Sequence, residues 1–189
     1  MTAPNPPDNL AAHMLPHTHL TPDIRKLVGQ RKIHEAYLLA MDQNPPANGS
    51  LFSGISEQHM EGAVQASTPA LSFCSEEQLF ELRTVLAMWY ADCNVSPRSD
   101  LPWNHPMPPK VALHTLATAY KINYNLSEWK RSGLVLRAEV QTSRVGACPC
   151  CARMAGEYDI NDLPVPPFPG CTNMDEGCRC IIVGTEIKR

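Results

Sequence analysis

Residues 133–151 read GLVLRAEVQTSRVGACPCC, and within this stretch the chain changes from helix-forming to strand-forming sequence. Its large apolar residues recur at every second position: Leu134, Leu136, Ala138 and Val140. This is the period of a β-strand, which we expect over residues 134–142. The strand leads directly into a group of cysteines, so the fold of the C-terminal part depends on what those cysteines do.

Six of the eight cysteines lie between residues 148 and 180: Cys148, Cys150, Cys151, Cys171, Cys178 and Cys180. A Cys-x2-Cys spacing lets two thiolates face one ion, while backbone N–H groups of the turn donate to sulfur. Nineteen residues separate Cys151 from Cys171, which is within the range of common zinc sites. The pattern predicts a structural Zn²⁺ ion that joins two strands.

Zinc takes four ligands in a closed tetrahedral site, so at least two of the six thiols have another role. Cys150 is the inner residue of the turn, and its side chain is expected to point away from the ion. Our first choice of ligands is Cys148, Cys151, Cys178 and Cys180, with Cys171 as the replacement ligand.

Two alternatives to a metal are disulfide bonds and unliganded thiols. Clustered thiols without a secretory signal favour metal, because the cytosol keeps thiols reduced. Four thiolates around Zn²⁺ leave an excess negative charge, which Arg144, Arg153 and Arg179 are expected to offset as donors.

The first two-thirds of the chain has helical patterns. Thr21 is a good N-cap, and the apolar spacing that follows predicts one helix up to a stop at Asn44. A short helix is expected near residues 57–66. Ser75 and Gln78 form a capping box before a well-specified helix, and a further helix is expected over residues 109–123. Five prolines at residues 96–109 predict an extended linker.

The predicted fold class is α+β, with a mainly helical N-terminal two-thirds and a small C-terminal zinc-stabilised β element. We divide the chain into a Pro-rich N-terminal arm at residues 1–20, a helical domain at 21–125 and a zinc-knuckle β element at 126–189. Ser127 is expected to cap a one-turn helix that Gly133 ends.

The order of features after Trp129 is a Gly, a strand, Cys-x2-Cys, residues 155–158 reading AGEY, a proline run and Cys178-Arg179-Cys180. This order resembles the C-terminal element of phage Mu F-like minor head proteins, over about a third of the chain. The resemblance implies head morphogenesis and DNA packaging near a portal. The family has a His shortly before its Cys-Arg-Cys, where this chain has Cys171. Either Cys171 replaces that ligand, or the resemblance is limited to the metal-binding core.

The formal net charge is -3, so no overall field attracts nucleic acid or an acidic membrane. No apolar run approaches the roughly 18 residues that span a bilayer, and we expect a cytoplasmic or virion-associated protein with a protein partner and no membrane. The alternative is zinc-stabilised nucleic-acid binding through a local excess of positive charge at Lys130, Arg131 and Arg137.

Catalytic motifs are incomplete. His34 and Glu35 begin like the HExxH helix of zinc proteases, but Leu38 stands where the second His is needed. The loose triplet of His13, His17 and His19 and the isolated Cys74 and Cys93 are expected to be a solvated tail and inert thiols. We predict a non-enzymatic protein. A redox role for Cys150 beside arginines is the remaining alternative.

Overall fold

The computed structural model describes residues 20–43, 53–91, 95–142, 147–171, 177–178 and 180–188, without the side chains of residues 53–56. These residues form an α+β structure in which helices precede a small antiparallel sheet near the C-terminus. The predicted α+β class is therefore confirmed. The predicted arm lies outside the described residues except for Leu20, which is buried.

Two helices replace the single helix predicted after Thr21. Helix α1 spans Pro22–Gly29 and α2 spans Ile33–Gln43, and the Thr21 hydroxyl caps α1 by accepting from the Ile24 N–H at 3.5 Å. The prediction of one continuous helix is wrong because Arg31 adopts a φ of 57°. This left-handed turn ends α1 and redirects the chain before Ile33.

Helices α3, Ser53–Ala63, and α4, Glu76–Tyr90, are joined by a segment that contains a short 3-10 turn, Pro69–Leu71. The predicted capping box of α4 is present. The Ser75 hydroxyl accepts from the Gln78 N–H at 3.2 Å, and the Gln78 side-chain oxygen accepts from the Ser75 N–H at 2.8 Å. The short helix predicted at 57–66 exists but lies several residues earlier.

A buried ion pair joins α1 to α4. Glu81 is 2 % exposed and accepts from Arg25 Nε at 3.0 Å and Arg25 Nη2 at 2.9 Å. The same carboxylate accepts from the backbone N–H of Arg98 at 2.9 Å. Glu81 therefore also fixes the start of the non-helical segment at residues 95–108, where the prolines predicted a linker.

Helix α5 is a single element, Pro109–Ser132. The predicted break near residue 124 is wrong, because the Ser127 hydroxyl donates to the Tyr124 carbonyl oxygen at 2.7 Å instead of capping a new helix. The predicted end is confirmed: Gly133 has a φ of 63°, the left-handed conformation that commonly terminates helices.

The sheet contains β1, Val135–Gln141, at its centre, with β2, Gly156–Asp159, and β3, Ile181–Ile187, antiparallel on either side. Short helix α6, Pro149–Arg153, lies between β1 and β2. The β1–β3 register shifts around Arg137. Ala138 and Val140 are buried, but Leu134 and Leu136, on the other side of the shift, are 53 % and 39 % exposed, and Val135 is buried in their place.

Buried side chains of the described residues form two clusters. The first runs from Leu20 to Tyr120, and the second runs from Leu126 to Cys180. Helix α5 contributes to both clusters, so it continues across the boundary predicted at residue 125, and the domain limits stay a prediction. Among the helices of the described ranges, none combines the length and the apolar character that crossing a membrane requires.

Candidate metal centre

The first two cysteines are positioned by α6. Cys148 is the N-cap residue of this helix, with Pro149 in its first turn, and its Sγ accepts from the Cys151 N–H at 3.3 Å. The sulfur thus takes the place of the oxygen that an N-cap serine or aspartate usually supplies. This N–H···S bond fixes the Cys148 side chain and is the type of contact that stabilises a metal-bound thiolate.

Five thiols come together beside this turn. Their sulfur atoms form two groups that share Cys151, each within 4.8 Å: Cys148, Cys151 and Cys171, and Cys151, Cys178 and Cys180. Cys171 Sγ lies 3.7 Å from Cys148 Sγ and 3.8 Å from Cys151 Sγ. A tetrahedron with metal–sulfur bonds of about 2.3 Å has edges of about 3.8 Å. The cluster could therefore hold a metal ion.

Glycines with positive φ place the later cysteines. Gly170 has a φ of 81° directly before Cys171, and the Cys171 N–H donates to the Phe168 carbonyl oxygen at 3.0 Å. Gly177 has a φ of 78° directly before Cys178, and a Cβ there would lie 3.0 Å from Thr115 Oγ1 on α5. The segment that carries Cys178 therefore approaches the long helix too closely for a side chain.

The close contacts between the thiols shift their pKa values in opposite directions. A hydrogen bond from Cys180, supported by others from Cys151 and Cys171, lowers the pKa of Cys178 to about 6 against the opposing effect of burial. The same bond to Cys178, together with burial, raises the pKa of Cys180. Burial first, and then the contact with Cys148, raises the pKa of Cys151. A bound cation would displace these protons.

Cys150 lies outside both groups, in agreement with its predicted orientation. Its Sγ donates to the Pro169 carbonyl oxygen at 3.3 Å, and its side chain is half-buried. Burial raises the pKa of Cys74 to about 11, whereas Cys93 is outside the described residues. No disulfide bond joins two cysteines in the described part of the chain.

The cationic side chains considered above are mostly paired or exposed. Lys130 and Arg131 are in the last turn of α5, where both Arg131 Nε and Nη2 donate to Glu128, and Arg137 on β1 lies 3.3 Å from the Glu157 carboxylate. Arg153 is exposed on α6. The other two arginines expected beside the cluster, Arg144 and Arg179, lie outside the described residues.

The histidines lie away from the cluster or outside the described residues. His34 is exposed, and its Nδ1 lies 2.9 Å from the Glu57 carboxylate on α3. The triplet of His13, His17 and His19 is outside the described ranges. In the described part of the chain, the grouped ligands are all cysteines.

Residue patterns missed two features that position the cluster. Strand β2 was not recognised because four residues, Gly156–Asp159, are too few to show a period. Gly177 belongs to none of the motifs noted in the sequence, although its φ of 78° is a conformation that glycine adopts readily. Strand β2 pairs with β1, and Gly177 lets the segment of Cys178 approach α5.

Comparison of the chain with protein-family models, with curated proteins and with solved structures finds no match. The interpretation of the cluster therefore depends on its own geometry and chemistry.

Proposed function

We propose that the protein is a non-enzymatic zinc-binding protein in which the cysteine cluster holds one structural Zn²⁺ ion. The sulfur–sulfur distances of 3.7 and 3.8 Å carry the proposal, because they equal the edges expected for a tetrahedron of thiolates around zinc. A ligand set made only of thiolates is typical of structural sites, whereas catalytic zinc keeps a position open for water or substrate.

The ligands are Cys148, Cys151 and Cys171, with the fourth supplied by Cys178 or Cys180. The contacts of Cys171 with the first two thiols support it as a ligand in its own right, in contrast to the replacement role assigned from spacing. Five thiols around a four-coordinate ion leave one spare, and the short Cys-x-Cys pair is where two thiols compete for one position.

Metal analysis of the reduced protein tests this proposal. We expect one zinc per chain, with Zn–S distances of about 2.3 Å by X-ray absorption. Replacing Cys148, Cys151 or Cys171 by Ser should release the metal, whereas one of the two variants Cys178→Ser and Cys180→Ser should retain it. Cys150→Ser is the matched control and should keep full occupancy. Less than one zinc per chain, or disulfides in fresh reduced material, would contradict the proposal.

We further propose that the zinc-held sheet serves a protein interaction, in a phage- or prophage-type assembly. The order of strand, Cys-x2-Cys, proline run and Cys-x-Cys supports this extension, since it resembles the Mu F-like minor head element apart from that family's His. Purification of the tagged full chain from its native host should recover portal, capsid or other structural chains. Recovery of none of these would remove the support for an assembly role while leaving the zinc site intact.

Nucleic-acid binding is the competing function. The ion pairs of Arg131 with Glu128 and of Arg137 with Glu157 count against it, because both arginines already have carboxylate partners with which a phosphate would compete. If nucleic acid were the partner, affinity for a duplex would fall steeply with salt, and this slope would decrease when Lys130, Arg131 and Arg137 are replaced by Gln. We expect no such salt-dependent binding.

A further inference from the structure

A cleft of about 440 Å³ lies in the helical region, and its lining residues precede the cysteine cluster by more than sixty positions in the chain. It is lined by the turn after α1, the end of α3 and one face of α4. Its volume is within the range of small-molecule sites, which is roughly 300–1,000 Å³. The cleft is independent of the proposed metal site, so the two can be tested separately.

The lining combines apolar surface with two guanidinium groups. Val64 and the ring of Phe80, which is 37 % exposed, form part of the apolar wall, and Arg31 and Arg83 supply the positive charge. Arg83 Nε donates to the Ala66 carbonyl oxygen at 2.7 Å. This bond holds the Arg83 side chain in place. Within the described residues, Arg83 has no further acceptor and the Arg31 guanidinium has none.

The end of α1 has its glycine and its arginine in places that local stability does not favour. Gly29 is the last residue of the helix, where alanine would have the higher helix propensity. Arg31 has a φ of 57° at the position after the C-cap, where glycine is the preferred residue. The N–H groups of Arg31 and Lys32 donate to the carbonyl oxygens of Val28 and Leu27, each at 2.9 Å, which holds the arginine in this conformation.

Both residues, Gly29 and Arg31, suit the cleft better than the residues that local stability would favour. A Cβ at position 29 would make an ordinary contact with the Phe80 ring at 3.6 Å, so glycine leaves space at this wall that a longer side chain would fill. Arg31 lines the cleft and has the left-handed backbone conformation. It supplies a positive charge that glycine would lack, and it does so at the cost of backbone strain. Residues held in sparsely populated backbone conformations cluster at binding sites, and this turn has the same character.

We propose that the cleft binds a small organic carboxylate with an apolar body. The two guanidinium groups receive the carboxylate through charge-assisted hydrogen bonds, and the apolar body packs against Phe80 and Val64. Glu61 also lines the cleft, and its carboxylate disfavours ligands with more than one negative charge. The class expected is therefore a monocarboxylate with an aliphatic or aromatic chain.

Matched acid and amide pairs test the proposal on the full, zinc-loaded chain. The probes are 4-phenylbutyrate with 4-phenylbutyramide, and octanoate with octanamide, measured by ligand-observed NMR titration. Each acid should bind about tenfold or more tightly than its amide, because only the acid accepts charge-assisted bonds. Equal binding of acid and amide, or no binding of either acid up to its solubility limit, would overturn the proposal.

Three variants separate binding from folding. Gly29→Leu should abolish binding by filling the cleft, while Gly29→Ala, whose added carbon makes an ordinary contact, should retain binding within about twofold. Arg31→Gly should weaken acid binding by about fivefold or more while leaving the melting temperature unchanged or higher, since glycine suits the left-handed turn. Lys121→Gln on α5 is the charge control. Undiminished acid binding by Gly29→Leu or by Arg31→Gly would show that the acid binds elsewhere.

Discussion

The two buried clusters of this protein are stabilised by different means. The helical cluster contains large apolar side chains from all its helices, and many of them, such as Leu82, Leu86 and Met88, are essentially inaccessible to solvent. The C-terminal cluster is small, and four of its buried residues are the cysteines Cys148, Cys151, Cys178 and Cys180. We expect apolar burial to support the first region alone, whereas the second should need the metal that its thiols are proposed to hold.

If zinc is bound as proposed, its removal is expected to have the largest effect and to separate the two regions. Structural zinc contributes on the order of 10 kcal/mol or more, which exceeds what the short strands supply by burial. A chelator should therefore unfold residues 134–185 first and leave α1 to α4 folded. Hydrogen exchange of β1 and β3 measures this directly, and added zinc should restore their protection. Unchanged exchange in both strands would mean that the sheet is stable without metal.

The next largest effect is expected from Glu81→Gln in the helical region. This change removes the charge that pairs with Arg25 and leaves the guanidinium in a mostly buried position, which should lower the free energy of unfolding by about 3 kcal/mol. Chemical denaturation of the helical region gives the value. Glu128→Gln is the matched control, because its partner Arg131 is exposed and its loss should not change stability measurably. Similar effects of the two changes would contradict the special role of the buried pair.

Gly177→Ala tests the close contact between the segment that carries Cys178 and helix α5. Both its φ of 78° and the approach to Thr115 oppose a side chain, so we expect a loss of about 2 kcal/mol together with weaker metal binding. Gly170→Ala is the control. It has a similar φ of 81° but open space around it, so only the strain of about 1 kcal/mol should appear. Competition with a chromogenic zinc chelator ranks the variants, and equal affinities would exclude a contribution from the α5 contact.

The smallest expected effect is a difference in alkylation between one thiol of each region, Cys74 and Cys148. Burial raises the pKa of Cys74 to about 11, so its thiolate fraction is low near neutral pH and it should react slowly with iodoacetamide. The rate should rise as the pH approaches the pKa, because the thiolate is the reactive form. Chelation should expose Cys148 but leave Cys74 protected, as peptide mass spectrometry can show. Simultaneous labelling of both thiols after chelation would mean that the two regions unfold together.

Local signals along the sequence were sufficient for several elements. Thr21, Ser75 and Gly133 each determine a helix end through a contact within a few residues, and all three ends are where the sequence placed them. The break between α1 and α2 was not predictable in this way. It depends on an arginine in a left-handed conformation, which no propensity favours. The continuity of α5 was missed for a related reason, since Ser127 can either cap a helix or bond to the preceding turn.

The alternation of apolar residues at 134–140 predicted the position of strand β1 but not which of its residues are buried. It located β1 correctly, but the register shift near Arg137 turned Leu134 and Leu136 towards the exterior. A shift of one residue exchanges the two faces of a strand, and its position is set by pairing with β3, which is more than forty residues away in the chain.

The sequence by itself predicted a cysteine cluster that could hold a metal ion in the C-terminal part, because its six thiols have the spacing of metal ligands. It also excluded Cys150 from the cluster through its place inside the turn. Only the tertiary structure brought Cys171 within 4 Å of both Cys148 and Cys151, and only it made the pair of Arg25 with Glu81 and the cleft beside Arg31 visible. The reason is physical: spacing constrains residues that share a turn, whereas contacts between distant segments depend on how the helices and strands pack.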